Sequence, residues 1–370
     1  MTNLKLNLHN WRIFQKQSLE FPNESFLIFD TNGSGKTSLI AALYSLLSSQ
    51  SWPGTKLNQN LRVGENYFGV STNDNSWSLT GQISPSGRLV TKYEKPENLH
   101  NFFALNSEKW PKVLTYLPTD NYWFAQSRTS KLSVLDNLLG QVYTEKYSKP
   151  LAQLEKLVKS KASLIKLCQE DSSRADMTLV QTLSQQIYLE SIVIWNLRIE
   201  FWKNIQTRLS QFSDWIESPL KNWRIEIEIS LLSGQKSKLN LENYFLETKI
   251  DEKTWLSLWP RELASGKVLF GAQRDDFSIS SNHLAVENVL SRGEMRLLVL
   301  FIKNLAREYL KASGEKVFWL LDDVFNEFDD QRESLLVKSI LADTDYFVAT
   351  STKKPLLGML TKSISDLTIS

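Results

Sequence analysis

The sequence predicts a mixed α/β fold that carries an antiparallel β subdomain and a helical hairpin. Three observations point there. A short apolar strand runs through DTNGSGKT, residues 30–37, into an apolar helix; a second apolar run, VFWLL, ends in the paired acids Asp322 and Asp323; and between Ser133 and Phe212 the only glycine is Gly140 and the only proline is Pro150.

The 370 residues, 42% hydrophobic and 11% aromatic, suffice for two or three domains and exclude a disordered or fibrous chain. No stretch approaches the roughly 18 apolar residues of a membrane span. The start, MTNLKLNLHN, lacks the charged-then-apolar plan of an export signal, so a soluble, cytoplasmic protein without a membrane partner is expected. Cys168 has no second cysteine to pair with, and His9, His100 and His283 do not complete a zinc cluster; any metal would be held by oxygen. With 43 basic and 41 acidic residues the net charge is +2, which excludes a uniformly basic coat and makes any polyanion site local. One local bias stands out: from Lys131 to Cys168 there are seven lysines (131, 146, 149, 156, 159, 161, 166) against three acids (136, 145, 155), either a solvated helix face or a surface for phosphates. The twelve tryptophans, scattered from Trp11 to Trp319, form no spaced motif and are expected in cores or interfaces.

Taken in order, LKLNLHNWRIF alternates with the period of a half-buried strand, SFLIF (25–29) reads as a short buried strand, and SLIAALYSLL (38–47) as a helix packed on a sheet. Tyr67–Thr72, Trp77–Ile83 and Leu89–Tyr93 read as an antiparallel meander, the last two joined through the turn residues Pro85-Ser86-Gly87. Beyond it, Leu151, Leu154, Val158, Ala162, Ile165 and Cys168 mark one helical stripe. Leu179, Leu183, Ile187, Ile194, Leu197, Phe201, Ile205 and Leu209 mark another. The short polar break QEDSSRADM predicts that these two long helices fold back antiparallel, as a projecting hairpin or as members of a bundle. RIEIEIS (224–230) restores strand alternation, followed by mixed α/β texture to residue 370.

A strand, a glycine-rich loop, Gly-Lys-Thr and a helix form a phosphate-binding arrangement, because loop and helix N–H groups converge on the anion. Asn32, Gly33, Ser34, Gly35, Lys36, Thr37 and Ser38 supply it, with Asp30 and Thr31 leading in. Lys36 would reach the β- and γ-phosphates of a nucleotide and the Thr37 hydroxyl would ligate Mg²⁺. The alternative is a Gly/Ser-rich surface turn. The strict pattern has glycine first, whereas this chain has Asp30, which predicts backbone strain of about 1–3 kcal/mol and a carboxylate near the polyphosphate. In the second half of such a site, Asp322 would bind the metal and Asp323 would orient or deprotonate the attacking water; the other reading is an acidic loop after a core strand. Before it, VLSRGEMRLLVLFIKNLA (289–306) places Ser291 and Gly293 where a hydroxyl and N–H groups open a strongly apolar helix. ATPases of the ABC type use such an element to close one subunit over the nucleotide of another.

Taken together and in this order, LNLHNWRIF, NGSGKT, LPTD (117–120), VLDNLL (134–139), GAQRDDF (271–277), LSRGEMR (290–296) and LLDDVFNEFD (320–329) resemble the RecF family of DNA-repair ATPases, related to the SMC and ABC types, from end to end. The resemblance implies a P-loop ABC/SMC-type ATPase head: residues 1–130 as its N-terminal part with the antiparallel flap, 131–215 as a helical arm, and 216–370 as its C-terminal part. It implies ATP and Mg²⁺ as cofactors and a homodimer formed around two nucleotides. Asp30 to Ser38, Arg12, Ser291 and Gly293 would contact nucleotide, Thr37 and Asp322 the metal, and Lys36, Asp323 and Ser291 would be catalytic. Asn326–Asp329 would be the loop that crosses the dimer interface. Double-stranded DNA and single/double-strand junctions, with RecR and RecO as protein partners in loading RecA at gaps, are the implied setting. Departures from the family pattern are Asp30, Ala272-Gln273 where Pro-His is usual, Glu294-Met295 for a double glutamine, and Leu132 after Lys131. They make slow turnover, or a dimer that scaffolds DNA without efficient hydrolysis, the expectation.

Overall fold

The computed structural model describes residues 3–73, 75–96, 110–171, 173, 176–216, 220–230, 236–239, 252–326, 328–341, 344–353 and 360–369. Its contacts divide the chain into two compact units, Met1–Asp120 with Lys303–Ser370, and Asn121–Ile302. In chain order the first unit holds β1 (Leu4–Trp11), β2 (Phe14–Phe21), β3 (Phe26–Phe29), α1 (Lys36–Ser48), β4 (Tyr67–Thr72), β5 (Ser78–Ile83), β6 (Leu89–Glu94) and β7 (Lys112–Tyr116). The second holds α2 (Arg128–Tyr143), α3 (Glu145–Glu170), α4 (Met177–Arg208), α5 (Gln211–Trp215), β8 (Arg224–Ser230), β9 (Lys236–Leu239), α6 (Glu252–Ser265), β10 (Asp276–Ser281), β11 (Leu284–Ala285) and α7 (Val286–Val289). Helix α8 (Arg292–Ala312) runs on into the first unit, which ends with β12 (Val317–Leu321), α9 (Asp330–Leu336), β13 (Tyr346–Ser351), β14 (Thr361–Lys362) and α10 (Ile364–Leu367).

The first unit is built on a parallel sheet of order β14-β3-β13-β12-β7. All residues of β12 and β13 are buried, because helices and a second sheet cover a parallel sheet on both faces. This is why VFWLL reads as an uninterrupted apolar run. Parallel pairing sets the carboxyl ends of β3, β13 and β12 side by side, the place where such sheets put their ligands. The antiparallel sheet β2-β1-β4-β5-β6 shares one core with α1 and with Phe318, Leu320, Tyr346 and Val348 of the parallel sheet. The predicted meander is present as β4, β5 and β6. The continuous strand predicted from LKLNLHNWRIF is instead a hairpin: Arg12 turns the chain with φ +50°, its N–H held by the Asn60 carbonyl at 2.7 Å.

In the second unit the two long helices are present, but the first is broken at Thr144, whose φ of +51° ends α2 and starts α3. Neither glycine nor proline marks that break. The base of α3 and the far part of α4 are joined by the Tyr147 hydroxyl and the Arg198 Nε, 2.9 Å apart, so the pair runs antiparallel. Most stripe positions are buried; Leu179 is an exception and is exposed. Of the tryptophans, Trp11, Trp52, Trp77, Trp123, Trp195, Trp202, Trp223, Trp259 and Trp319 are buried. Among the described residues no helix is long and apolar enough to cross a membrane.

The hairpin is tied to the sheet β11-β10-β8-β9 by the aspartates of GAQRDDF. The Arg198 guanidinium, 2% exposed, donates to Asp275 Oδ2 at 2.6 Å, to Asp136 Oδ1 at 2.6 Å and to the Ala272 carbonyl at 2.7 Å, while Trp195 Nε1 donates to Asp275 at 2.8 Å. Buried charge survives only with such partners. The neighbouring Asp276 pairs with Lys131 of α2 at 2.6 Å, and Lys161 of α3 pairs with Glu262 of α6 at 2.6 Å, both of that last pair fully buried. Two of the seven lysines of the basic run, which reads as a solvated helix face or a phosphate surface, are therefore engaged in internal ion pairs, whereas Lys146, Lys149, Lys156, Lys159 and Lys166 are exposed. Replacing Asp275 by Asn leaves Arg198 under-compensated in a dry site. Burial pushes the Asp275 carboxyl up to about 7, and Arg198 keeps Asp136, so chemical denaturation should show a loss of about 1–3 kcal/mol; an unchanged midpoint would contradict a structural role for this network.

Candidate functional site

The predicted phosphate loop lies between β3 and α1, and the predicted acid pair follows β12; the first unit brings them together. Gly35 adopts φ +108°, and a Cβ there would come within 2.6 Å of Ile13 Cδ1 and 2.7 Å of Phe14 Cζ, so only glycine fits. Helix α1 starts at Lys36 with no side-chain cap and no acid in its first turn, which leaves its N–H groups and positive dipole end for an anion. The Ser34 Oγ is buried with no hydrogen-bond partner. Lys36 turns its ammonium onto the carbonyls of Asp30 at 2.8 Å and Thr31 at 2.7 Å. Thr31, Asn32 and Gly33 are exposed, and Ser38 is buried with its carbonyl accepting from Trp11 Nε1 at 2.9 Å.

Asp30 is not strained. Its φ is not among the positive values of the described residues, and its carboxylate serves two backbone donors, the Thr31 N–H at 2.7 Å and the Ile364 N–H of α10 at 3.2 Å. The expected cost of a non-glycine residue at the first loop position is absent, because an Asp side chain can accept local N–H bonds that glycine cannot.

The Thr37 hydroxyl donates to Asp322 at 2.9 and 3.0 Å across 285 positions of sequence. Thr350, at the end of β13, donates to Asp322 Oδ1 at 2.8 Å, and its oxygen accepts the Asp323 N–H at 2.8 Å. Burial pushes the Asp322 carboxyl up to about 6; hydrogen bonds from Thr350 and Thr37 oppose the rise and the neighbouring Asp323 adds to it. Asp323 is half-buried with φ +49°. Arg12 is half-buried in the β1–β2 turn, where Nε donates to Asn60 Oδ1 at 2.9 Å; burial lowers its pKa and the Asp322 carboxylate counters that. Asn326 accepts from the Thr352 N–H at 3.2 Å and its hydroxyl at 2.9 Å; Glu327, in the segment predicted to cross a dimer interface, lies outside the described residues.

Ser291 and Gly293 sit in the other unit, at the start of α8. The Ser291 Oγ accepts the Glu294 N–H at 3.3 Å and Glu294 Oε2 accepts the Ser291 N–H at 2.7 Å, a reciprocal capping box. Glu294 is thus a helix-capping residue, a pattern that Ser-x-x-Glu before an apolar run could have signalled. Thr350 carried no such sequence signal, since a threonine inside a buried strand becomes informative only once β13 lies between β3 and β12.

Among the described residues no group of three or more His, Cys, Asp or Glu could hold a metal by itself. The Thr37 hydroxyl and the Asp322 carboxylate are an oxygen pair of the kind that takes Mg²⁺ once substrate phosphates complete the shell. Together with the uncapped helix and the Ser34 hydroxyl, they fit a magnesium nucleotide.

A family model described as an AAA domain matches residues 5–333. The DNA replication and repair protein RecF of Geobacillus sp. (strain WCH70) is 26% identical over 94% of this chain and 91% of its own length. That of Staphylococcus carnosus (strain TM300) is 25% identical over 94% and 92%. A solved recombination mediator protein RecF with ATP, of the RecFOR pathway, superposes with a TM-score of 0.76 at 22% identity, over 96% of this chain and 93% of that one. Its ATPrS counterpart gives 0.74 at 21% identity, over 100% and 98%. At these identities the solved structures establish the fold, which is that of the RecF recombination mediator.

Two measurements test the site. Asp30→Gly removes the two hydrogen bonds from backbone N–H groups and loosens the loop, so it should lower stability by about 1–2 kcal/mol without tightening nucleotide binding; tighter binding would show that Asp30 impairs the loop. The Asp322 carboxyl sits higher in the folded chain, about 6, than the ordinary 3.8 of an aspartate, so its ionisation opposes folding increasingly as pH rises from about 4 to about 6. Asp322→Asn should therefore stabilise the nucleotide-free protein by up to about 3 kcal/mol at pH 7, an advantage that fades toward pH 4 in urea melts; no gain at pH 7 would contradict a desolvated carboxylate.

Proposed function

The chain belongs to the AAA domain family and, within it, to the RecF-type SMC/ABC ATPases, and from that premise we propose that it is a cytoplasmic, nucleotide-switched DNA-binding protein of replication and repair. It binds ATP with Mg²⁺, closes into a homodimer around two nucleotides, and holds double-stranded DNA and single/double-strand junctions, where with RecR and RecO it assists RecA loading. The observation that carries this reading is the Thr37–Asp322 contact, which joins the phosphate loop to the acid pair.

Lys36 exchanges the Asp30 and Thr31 carbonyls for phosphate oxygens. Thr37 and Asp322 hold Mg²⁺, which when bound offsets charge on the phosphates. Asp323 orients the attacking water and accepts its proton, and turnover is slow, used as a switch. Arg12 adds positive charge beside the phosphates. Ser291 and Gly293, with the α8 N-terminus, act on the nucleotide of the partner copy, and the loop from Asn326 to Asp329 lies along the shared interface. The exposed Lys146, Lys149, Lys156, Lys159 and Lys166 of α3 suit the sugar–phosphate backbone, giving salt-sensitive binding without base readout. A scaffold with weakened catalysis draws less support, because Asp30 and Glu294 both have structural partners.

Lys36→Ala should weaken ATP binding about 10- to 100-fold by fluorescence titration. Ser291→Arg should leave nucleotide binding by the monomer unchanged yet abolish ATP-dependent dimerisation on sizing; normal dimerisation of this variant would remove the trans arrangement. A folded wild-type protein that ignores millimolar ATP would remove the whole reading.

A further inference from the structure

Asp323 is a non-glycine residue in the left-handed region, a conformation that costs about 1–2 kcal/mol and persists only where neighbours hold it. The neighbour that holds it is Thr350. Its hydroxyl accepts the Asp323 N–H at 2.8 Å and donates to Asp322 Oδ1 at 2.8 Å; its carbonyl accepts the Val324 N–H at 3.2 Å. One fully buried residue therefore makes a bond to each of three consecutive residues of the acid loop. The donor and acceptor capacities of the hydroxyl are both directed, so it fixes the rotation of the Asp322 carboxylate as well as the backbone of Asp323.

The next two residues of the same strand end hold Asn326: the Ser351 hydroxyl at 3.3 Å, the Thr352 N–H at 3.2 Å and the Thr352 hydroxyl at 2.9 Å. The carboxyl end of β13 is thus the scaffold on which the loop after β12 is set. Isosteric loss of the Thr350 hydroxyl would leave the Asp323 N–H and one Asp322 oxygen without that partner inside a packed sheet, while a valine would preserve the packing.

We propose that Thr350 is a positioning residue for the metal-holding carboxylate: through one hydroxyl it orients Asp322 toward Thr37 and locks the turn that presents Asp323. This rests on the reading of Thr37 and Asp322 as a Mg²⁺ pair and goes beyond it by assigning the residue that orients the pair. Outer groups that orient a ligand commonly contribute 10- to 100-fold to metal affinity.

The test measures binding of a fluorescent ATP analogue by the full chain, with EDTA and across a Mg²⁺ titration, for wild type, Thr350→Val, Thr350→Ser and, should the valine variant fold poorly, Thr350→Ala. Thr350→Val or Thr350→Ala is expected to raise the Mg²⁺ concentration for half-maximal tightening by about 10- to 100-fold, with the EDTA affinity unchanged and Thr350→Ser close to wild type. An unchanged Mg²⁺ dependence in a folded valine or alanine variant overturns the proposal. Equal losses with and without Mg²⁺ also overturn it, since they mark general damage to the loop. A wild type that binds the analogue with no Mg²⁺ effect removes the metal-pair reading, and the proposal with it.

Discussion

Everything at the phosphate-loop end of the first unit depends on one buried carboxylate shared between two hydroxyls. Asp322 leaves β12, accepts from Thr37 on α1 and from Thr350 on β13, and so links a helix to two neighbouring strands of the parallel sheet. The cost is visible in the carboxyl's elevation to about 6, caused by burial that two hydrogen bonds only partly offset. Such a group is poorly placed for stability and well placed to receive a cation, the usual tension between fold and site.

The rest of the unit serves that junction. Parallel pairing aligns the strand ends, the apolar residues of β12 and β13 make the platform rigid, and Trp11 bonds the start of α1 from below. Lys303 of α8, buried, is bolted to the Thr115 carbonyl at 2.7 Å and to Asp120 of LPTD at 2.5 Å. In the second unit an equivalent demand is met by Arg198, which gathers Asp136 and Asp275. Both units thus rely on buried ion pairs whose partners are far apart in sequence, a device that defines a unique arrangement more than it adds stability.

Much of this was legible in the residues themselves. DTNGSGKT, VFWLLDD and the alternation of RIEIEIS each specify backbone geometry locally, so β3, α1, β12 and β8 follow from sequence. The break at Thr144, the turn at Arg12 and the left-handed Asp323 do not, because none is marked by glycine, and Arg12 and Asp323 are held by partners distant in sequence. Side-chain roles diverged most. Lys131 and Lys161 read as a basic surface and are internal ion pairs; Asp30 reads as a defect and is a backbone acceptor; Glu294 reads as a lost signature residue and is half of a capping box. In each case charge is visible in sequence while burial and partner are not.

The central claim is that the phosphate loop and the acid pair are one site. A double-mutant cycle on Mg²⁺-ATP binding, with Thr37→Val, Asp322→Asn and the pair, tests it most directly. One site predicts non-additive losses, with a coupling of about 0.5–3 kcal/mol between residues 285 positions apart. Strictly additive losses would contradict it.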